Sequence, residues 1–244
     1  MKYLPRKALA LARKELYSYS ISPAFYGIGV FFLLFTSLWF FYFQRFFAMN
    51  SASLRPFFGG FPLAFILVIP VITMKSWAEE RKLGSVELLL TMPFSEWDLV
   101  LGKFFSSLGV IALFMALTIP VPLSLLPLGF FDAGVIVGEY AGAFLLGSSA
   151  TALGLFLSSL SKNQAGAFLG SAVVLLFVML SSQFAMTLNL PLWLSEGLNF
   201  ISLSFHFESF SKGLIDTRDL AFFIITTVLF LFCNTRALLF RKWR

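Results

Sequence analysis

The chain has almost none of the residues that soluble enzymes use for chemistry. Among 244 residues there is one cysteine, Cys233, one histidine, His206, and only 12% charged side chains. A single cysteine excludes an intrachain disulfide framework. There is no CxxC and no HExxH, so the usual zinc-ligand spacings are absent. His206 stands alone and reads as an interface histidine beside Glu208. Serines are plentiful, but nothing positions one as the nucleophile of a Ser-His-Asp hydrolase. No GxxxxGK[ST] occurs, so the sequence offers no Walker A loop for the phosphates of ATP.

What is present is apolar. Hydrophobic residues make up 59% of the chain, with 33 Phe. The apolar runs approach or exceed the ~20 residues a helix needs to cross a bilayer. The sequence therefore predicts an all-α polytopic membrane protein, a single transmembrane domain over 1–244. Six spans are expected, at 23–43, 57–74, 104–126, 135–157, 165–188 and 220–239. Residues 1–22 form an interfacial segment, 75–103 a charged loop, and 189–219 an outer segment. In that outer segment, LPLWLSEGLNFISLSF suggests short helices lying at or dipping into the interface.

Net charge is +6, but the basic residues flank apolar runs rather than forming a patch for nucleic acid. Six spans put both ends on one side. That side, with the 75–103 loop and the turn at Lys162, holds 14 of the 18 Lys and Arg, leaving Arg45, Arg55, Lys212 and Arg218 opposite. The positive-inside rule places both termini in the cytoplasm. The opening MKYLPRKALALARKELYSYS is basic but has no long apolar stretch, so it reads as retained. From Pro5 to about Ser20 it predicts an amphipathic helix, with Leu9, Ala12, Leu16 and Tyr19 on one face and Lys7 and Lys14 on others.

The loop WAEERKLGSVELLLTMPFSEWDLVLGK is too well punctuated for disorder. Residues 77–90 are good helix formers, with Leu83, Val86 and Leu90 on one face and Gly84 within. Pro93 limits that helix. Ser95 then caps a second helix, with Asp98 placed for a capping box and Phe94 and Leu99 for a hydrophobic staple. Glu79, Glu80, Arg81, Lys82 and Glu87 form a mixed-sign patch, which suits a protein partner.

Within the spans the clear charge is Glu139, near the outer end of span four. It either reaches out to the interface or an outer basic residue, or it marks a polar point in a substrate path. Gln183 in span five is a weaker candidate of the same kind. Gly138, Gly142, Ala143, Gly147, Ala150 and Gly154 recur at about four residues, a small-residue face for close helix contact.

Four stretches resemble a known family. KELYSYSISPAFYGIGVFFLLF is similar to an interfacial helix leading into span one. WAEERKLGSVELLLTMPFSEWDLVLGKF carries the most specific motif, through Glu79, Glu80, Arg81, Gly84, Glu87, Leu88, Leu89, Pro93, Gly102 and Lys103. GLFLSSLSKNQAGAFLG resembles the turn between spans four and five, and SFHFESFSKGLIDTRDL the last outer segment. Together they resemble the membrane subunit of ABC-2 type exporters, near the gliding-motility-associated branch and the related copper-processing permeases. Glu139 departs from the pattern, where a small residue is more usual.

The resemblance implies a non-catalytic subunit in the bacterial inner membrane. Two copies, identical or paralogous, would join two separate ATPase subunits, with ATP and Mg bound there and no cofactor here. A periplasmic accessory protein and membrane lipids are further partners it allows; nucleic acid is not one. Glu79, Glu80, Arg81, Lys82, Gly84, Glu87, Leu89 and Leu90 would form the coupling element that meets the ATPase. Three rivals remain. One is an anchor of a gliding-type machine that transports nothing. Another is an ion-coupled carrier, for which only Glu139 is available. The third is a membrane enzyme, for which no site is visible.

Overall fold

The computed structural model describes residues 4–48, 53–82, 84, 94–188, 191–213 and 216–242, with the side chains at 4–6 and 240–242 left undescribed. Every regular element among them is helical. The helices are α1 (Leu4–Ile21), α2 (Pro23–Leu38), α3 (Arg55–Phe58), α4 (Phe61–Lys82), α5 (Glu96–Thr118), α6 (Pro120–Leu125), α7 (Ala133–Leu160), α8 (Gln164–Thr187), α9 (Leu192–Ile201), α10 (Leu203–Ser211) and α11 (Thr217–Lys242). Six stretches are long and apolar enough to cross a membrane. An α-helix satisfies its own backbone, which is why such apolar runs settle as helices.

The spans starting at Arg55 and Ala133 are buried along most of their length, and the other four ring them. Exposed Leu34, Leu38, Leu169, Val173, Ile225 and Val228 lie on the outside of that ring, the composition expected toward lipid. The small-residue face of α7 makes the central contacts. A Cβ at Gly147 would come within 3.1 Å of Ile111, one at Gly154 within 2.6 Å of Thr73, and one at Gly142 within 2.6 Å of Phe210. Around them lies an aromatic core of Phe32, Phe57, Phe58, Phe61, Phe65 and Phe114.

The boundaries move in instructive ways. The second span does not stop at 74: α4 runs unbroken through Lys82, so the charges at 79–82 ride on the end of a span. The third begins at Glu96 rather than 104 and bends after Thr118, where Pro120 and Pro122 cannot continue the ladder. The first span relaxes into a π turn at Trp39–Phe43, and the Trp39 indole donates to the Pro56 carbonyl at 3.1 Å. The outer segment forms the two short helices expected, α9 and α10, and Leu203, Phe207 and Phe210 of α10 enter the main core.

The buried face of α1 differs from expectation. Ala8, Leu11 and Ala12 are buried and Tyr19 half-buried, while Leu9 and Leu16 are exposed. The reason is α5, against which α1 packs. Gly102 leaves room for Leu11, which a Cβ there would meet at 2.7 Å. Leu11, Leu99, Trp77 and Leu238 then share one cluster. The first helix and the end of the last span thus meet at the same end of the bundle.

Candidate functional site

At that end the charges are bound to one another. Lys103, on the second turn of α5, is 1% exposed. Its Nζ lies 2.6 Å from Glu80 Oε1 and 3.3 Å from Glu15 Oε1. It also stands 4.8 Å over the ring of the buried Trp77, a cation–π arrangement. One ammonium therefore ties α1, α4 and α5 together. A lysine can be buried this way because two carboxylates replace its water.

Arg81 makes the second tie. Its two terminal nitrogens donate to the carbonyls of Ser159 and Ser161, at the end of α7. Those carbonyls have lost their helical partners, and a cation suits the negative end of the helix dipole. Asn163 then caps α8, its Oδ1 accepting from Gly166 N at 2.7 Å. The charged end of α4 is thereby fixed to the turn between spans four and five. Above it the backbone N–H of Trp77 donates to Ser158 Oγ at 3.4 Å.

Between α1 and the end of α4 opens a polar cavity of about 410 Å³, lined by Lys14, Tyr19, Lys75, Glu79 and Glu80 among others. Lys75 Nζ donates to Ser22 Oγ at 3.2 Å. The Tyr19 hydroxyl donates to the Ile72 carbonyl at 2.9 Å, and burial pushes its pKa above the ordinary phenol value.

The Ser95 capping box forms as expected, with Asp98 N donating to Ser95 Oγ at 3.1 Å and Ser95 N to Asp98 Oδ2 at 3.0 Å. Phe94 and Leu99 fall in one cluster beside it. Gly84 is not inside a helix: it lies in a turn with φ +68°, past the end of α4. Glycine is the residue that takes this conformation without strain. Leu83 and 85–93, with Glu87, Leu89 and Leu90 of the expected coupling element, lie outside the described residues. Of the rest, Glu80 and Arg81 are held within the bundle, Lys82 is exposed and Glu79 half-buried.

The other two candidates are not brought together. Gln183 is exposed on α8. Glu139 is fully buried, with no ion pair among the described residues. His206 is not matched with Glu208 but with Asp219, Nδ1 to Oδ1 at 2.6 Å, and its Nε2 meets the Phe200 carbonyl at 3.1 Å. The pair fastens α10 to the first turn of α11.

Sequence reasoning passed over Lys103 as a buried charge. The signal was available: Ser95 caps a helix at 96, so Lys103 lies two turns inside an unbroken apolar helix. Ending the loop at 103 placed it outside.

With this geometry in view, comparison with known proteins is specific. Residues 41–234 match the family described as ABC-2 family transporter protein. Two curated proteins are 30% identical over 145 residues: the "Probable multidrug ABC transporter permease YbhR" of Escherichia coli strain K12 and that of Escherichia coli O157:H7. The aligned part is 59% of this chain but only 39% of each relative's length.

Proposed function

The chain belongs to the ABC-2 transporter family, whose members are non-catalytic membrane subunits, and from that premise we propose that it is the permease of an ATP-driven exporter. A second permease copy and two ATPase subunits complete the assembly, and both termini face the cytoplasm. Export of a hydrophobic or amphipathic substrate fits the naming of its Escherichia coli relatives as "Probable multidrug ABC transporter permease".

The observation that carries this reading is the double fastening of the α4 end. Lys103 joins it to α1 and α5, and Arg81 joins it to the α7–α8 turn. A push on the segment after Lys82 would therefore be delivered to five helices at once. This is how a local contact moves a packed bundle between two states. Glu80 and Arg81 brace the element from inside, while Glu79 and Lys82 are the charges free to set register with an ATPase. Glu87, Leu89 and Leu90 complete the contact. Glu139 lies on the substrate's route; Gln183 would join it only from a neighbouring copy. The charged motif also favours the gliding-type branch as the finer assignment.

The test is copurification with the cognate ATPase from detergent, comparing wild type with Glu79→Lys plus Lys82→Glu. Loss of the ATPase with an unchanged permease elution profile supports coupling through this element. Equal recovery by both proteins overturns it. A complex that forms but hydrolyses ATP without moving any substrate favours the non-transporting anchor.

A further inference from the structure

The far end of the bundle holds a buried carboxyl that the fold leaves unused. Glu139 sits on the second turn of α7, fully buried, and neither of its carboxyl oxygens has a hydrogen-bond partner among the described residues. A buried acceptor without donors is unfavourable, and inside a membrane such a group is a functional candidate by default. Beside it lies a cavity of about 240 Å³, whose wall includes Ser53, Arg55, Phe130, Phe131, Asp132 and Glu139. Arg55, on the same wall, is exposed and forms no ion pair with Glu139, so it leaves the carboxyl unsatisfied. Asp132 commits Oδ1 to the Gly134 backbone N–H at 2.8 Å, capping α7. Phe130 is wholly exposed.

These features fit one class of ligand. Two carboxyls outnumber one guanidinium, so an anion is disfavoured. No group of three or more His, Cys, Asp or Glu side chains gathers here among the described residues, so a protein-caged metal ion is disfavoured. Carboxyls beside an open aromatic ring, here Phe130 with the half-buried Phe131 next to it, are the chemistry that holds an organic ammonium, by charge-assisted hydrogen bonds and cation–π contact. The volume accommodates an amine with one ring attached, not a whole amphiphile. We propose that this cavity binds the protonated amine end of an organic cation, with Glu139 as acceptor and Phe130 and Phe131 as aromatic walls. Arg55, on the cavity wall, is a positive charge that repels a cationic ligand without occupying the carboxyl. The proposal rests on the transport reading only in placing the site on the substrate's route.

The experiment uses the full chain in lipid nanodiscs without nucleotide, with empty nanodiscs subtracted. Benzylamine, benzyl alcohol and benzoate are titrated and followed by saturation-transfer NMR. Benzylamine is expected to saturate, with the alcohol and the acid at least about tenfold weaker, as loss of a charge-assisted contact implies. Glu139→Gln should weaken the amine by a similar factor. Arg55→Gln should tighten it several-fold by removing a repelling charge from the cavity wall. Equal binding of amine and alcohol overturns the site, as does a folded E139Q that binds unchanged. If E139Q does not fold, R55Q decides, and unchanged or weaker amine binding overturns the proposal. In the assembled complex, amine binding that leaves ATP hydrolysis unaltered overturns the site's place on the route while sparing the site. Absent amine binding with intact ATPase coupling overturns the site while sparing the coupling reading.

Discussion

The two ends of the bundle treat buried charge in opposite ways. At the end that carries the termini, Lys103 lies between Glu15 and Glu80, and Arg81 grips two carbonyls. At the other end Glu139 is buried just as deeply and, among the described residues, has no partner for either oxygen. Removing charge should therefore have opposite consequences. The paired end is built to hold several helices in fixed relation. The far end pairs His206 with Asp219 but leaves Glu139 as an unfavourable group, which is what a site awaiting a ligand requires.

The largest effect is expected from Lys103→Ala. It leaves Glu15 and Glu80 without the ammonium they share, and breaking a buried pair in this way costs about 3–5 kcal/mol. Thermal unfolding in detergent should show a large fall in melting temperature; a wild-type melt would mean the triad carries no such load. Arg81→Met comes next, at about 1.5–3 kcal/mol for hydrogen bonds from a charged donor. Its signature is specific: limited proteolysis should speed up at the turn around Lys162, which Arg81 holds. Cleavage unchanged there would separate the α4 end from the turn.

Glu139→Leu should reverse the sign, raising stability by about 1–3 kcal/mol, because it removes an unsatisfied buried polar group. A fall in melting temperature would mean that the carboxyl has a partner and that the contrast between the ends is false. The smallest effect is Ser95→Ala, about 1 kcal/mol for a lost N-cap. It should appear as faster amide hydrogen exchange confined to the first turn of α5, with the rest of the bundle unaffected.

Much of the fold was legible because it follows from local pattern. Apolar length marked the six spans, the 95–98 box fixed the start of α5, and the glycine spacing of α7 identified its contact face. The site was legible as a motif but not as an arrangement. Glu80 and Lys103 are 23 residues apart, Glu15 and Lys103 88, and Arg81 and Ser161 80. No periodicity reports pairings at such separations. The same limit explains His206, whose nearest acid in sequence is not the one it meets.

By itself, then, the sequence determined that this chain crosses a membrane six times, all in helix, and that one loop is charged and capped. Hydrophobic length and capping chemistry act over a few turns and need no distant partner. Only the tertiary structure decided which charges are used up inside the protein and which are left over. Burial and pairing are properties of the packed bundle: Gly102 admits α1, α1 brings Glu15, and Glu15 with Glu80 makes a buried Lys103 tolerable. Packing at the far end supplies Glu139 with no such partner.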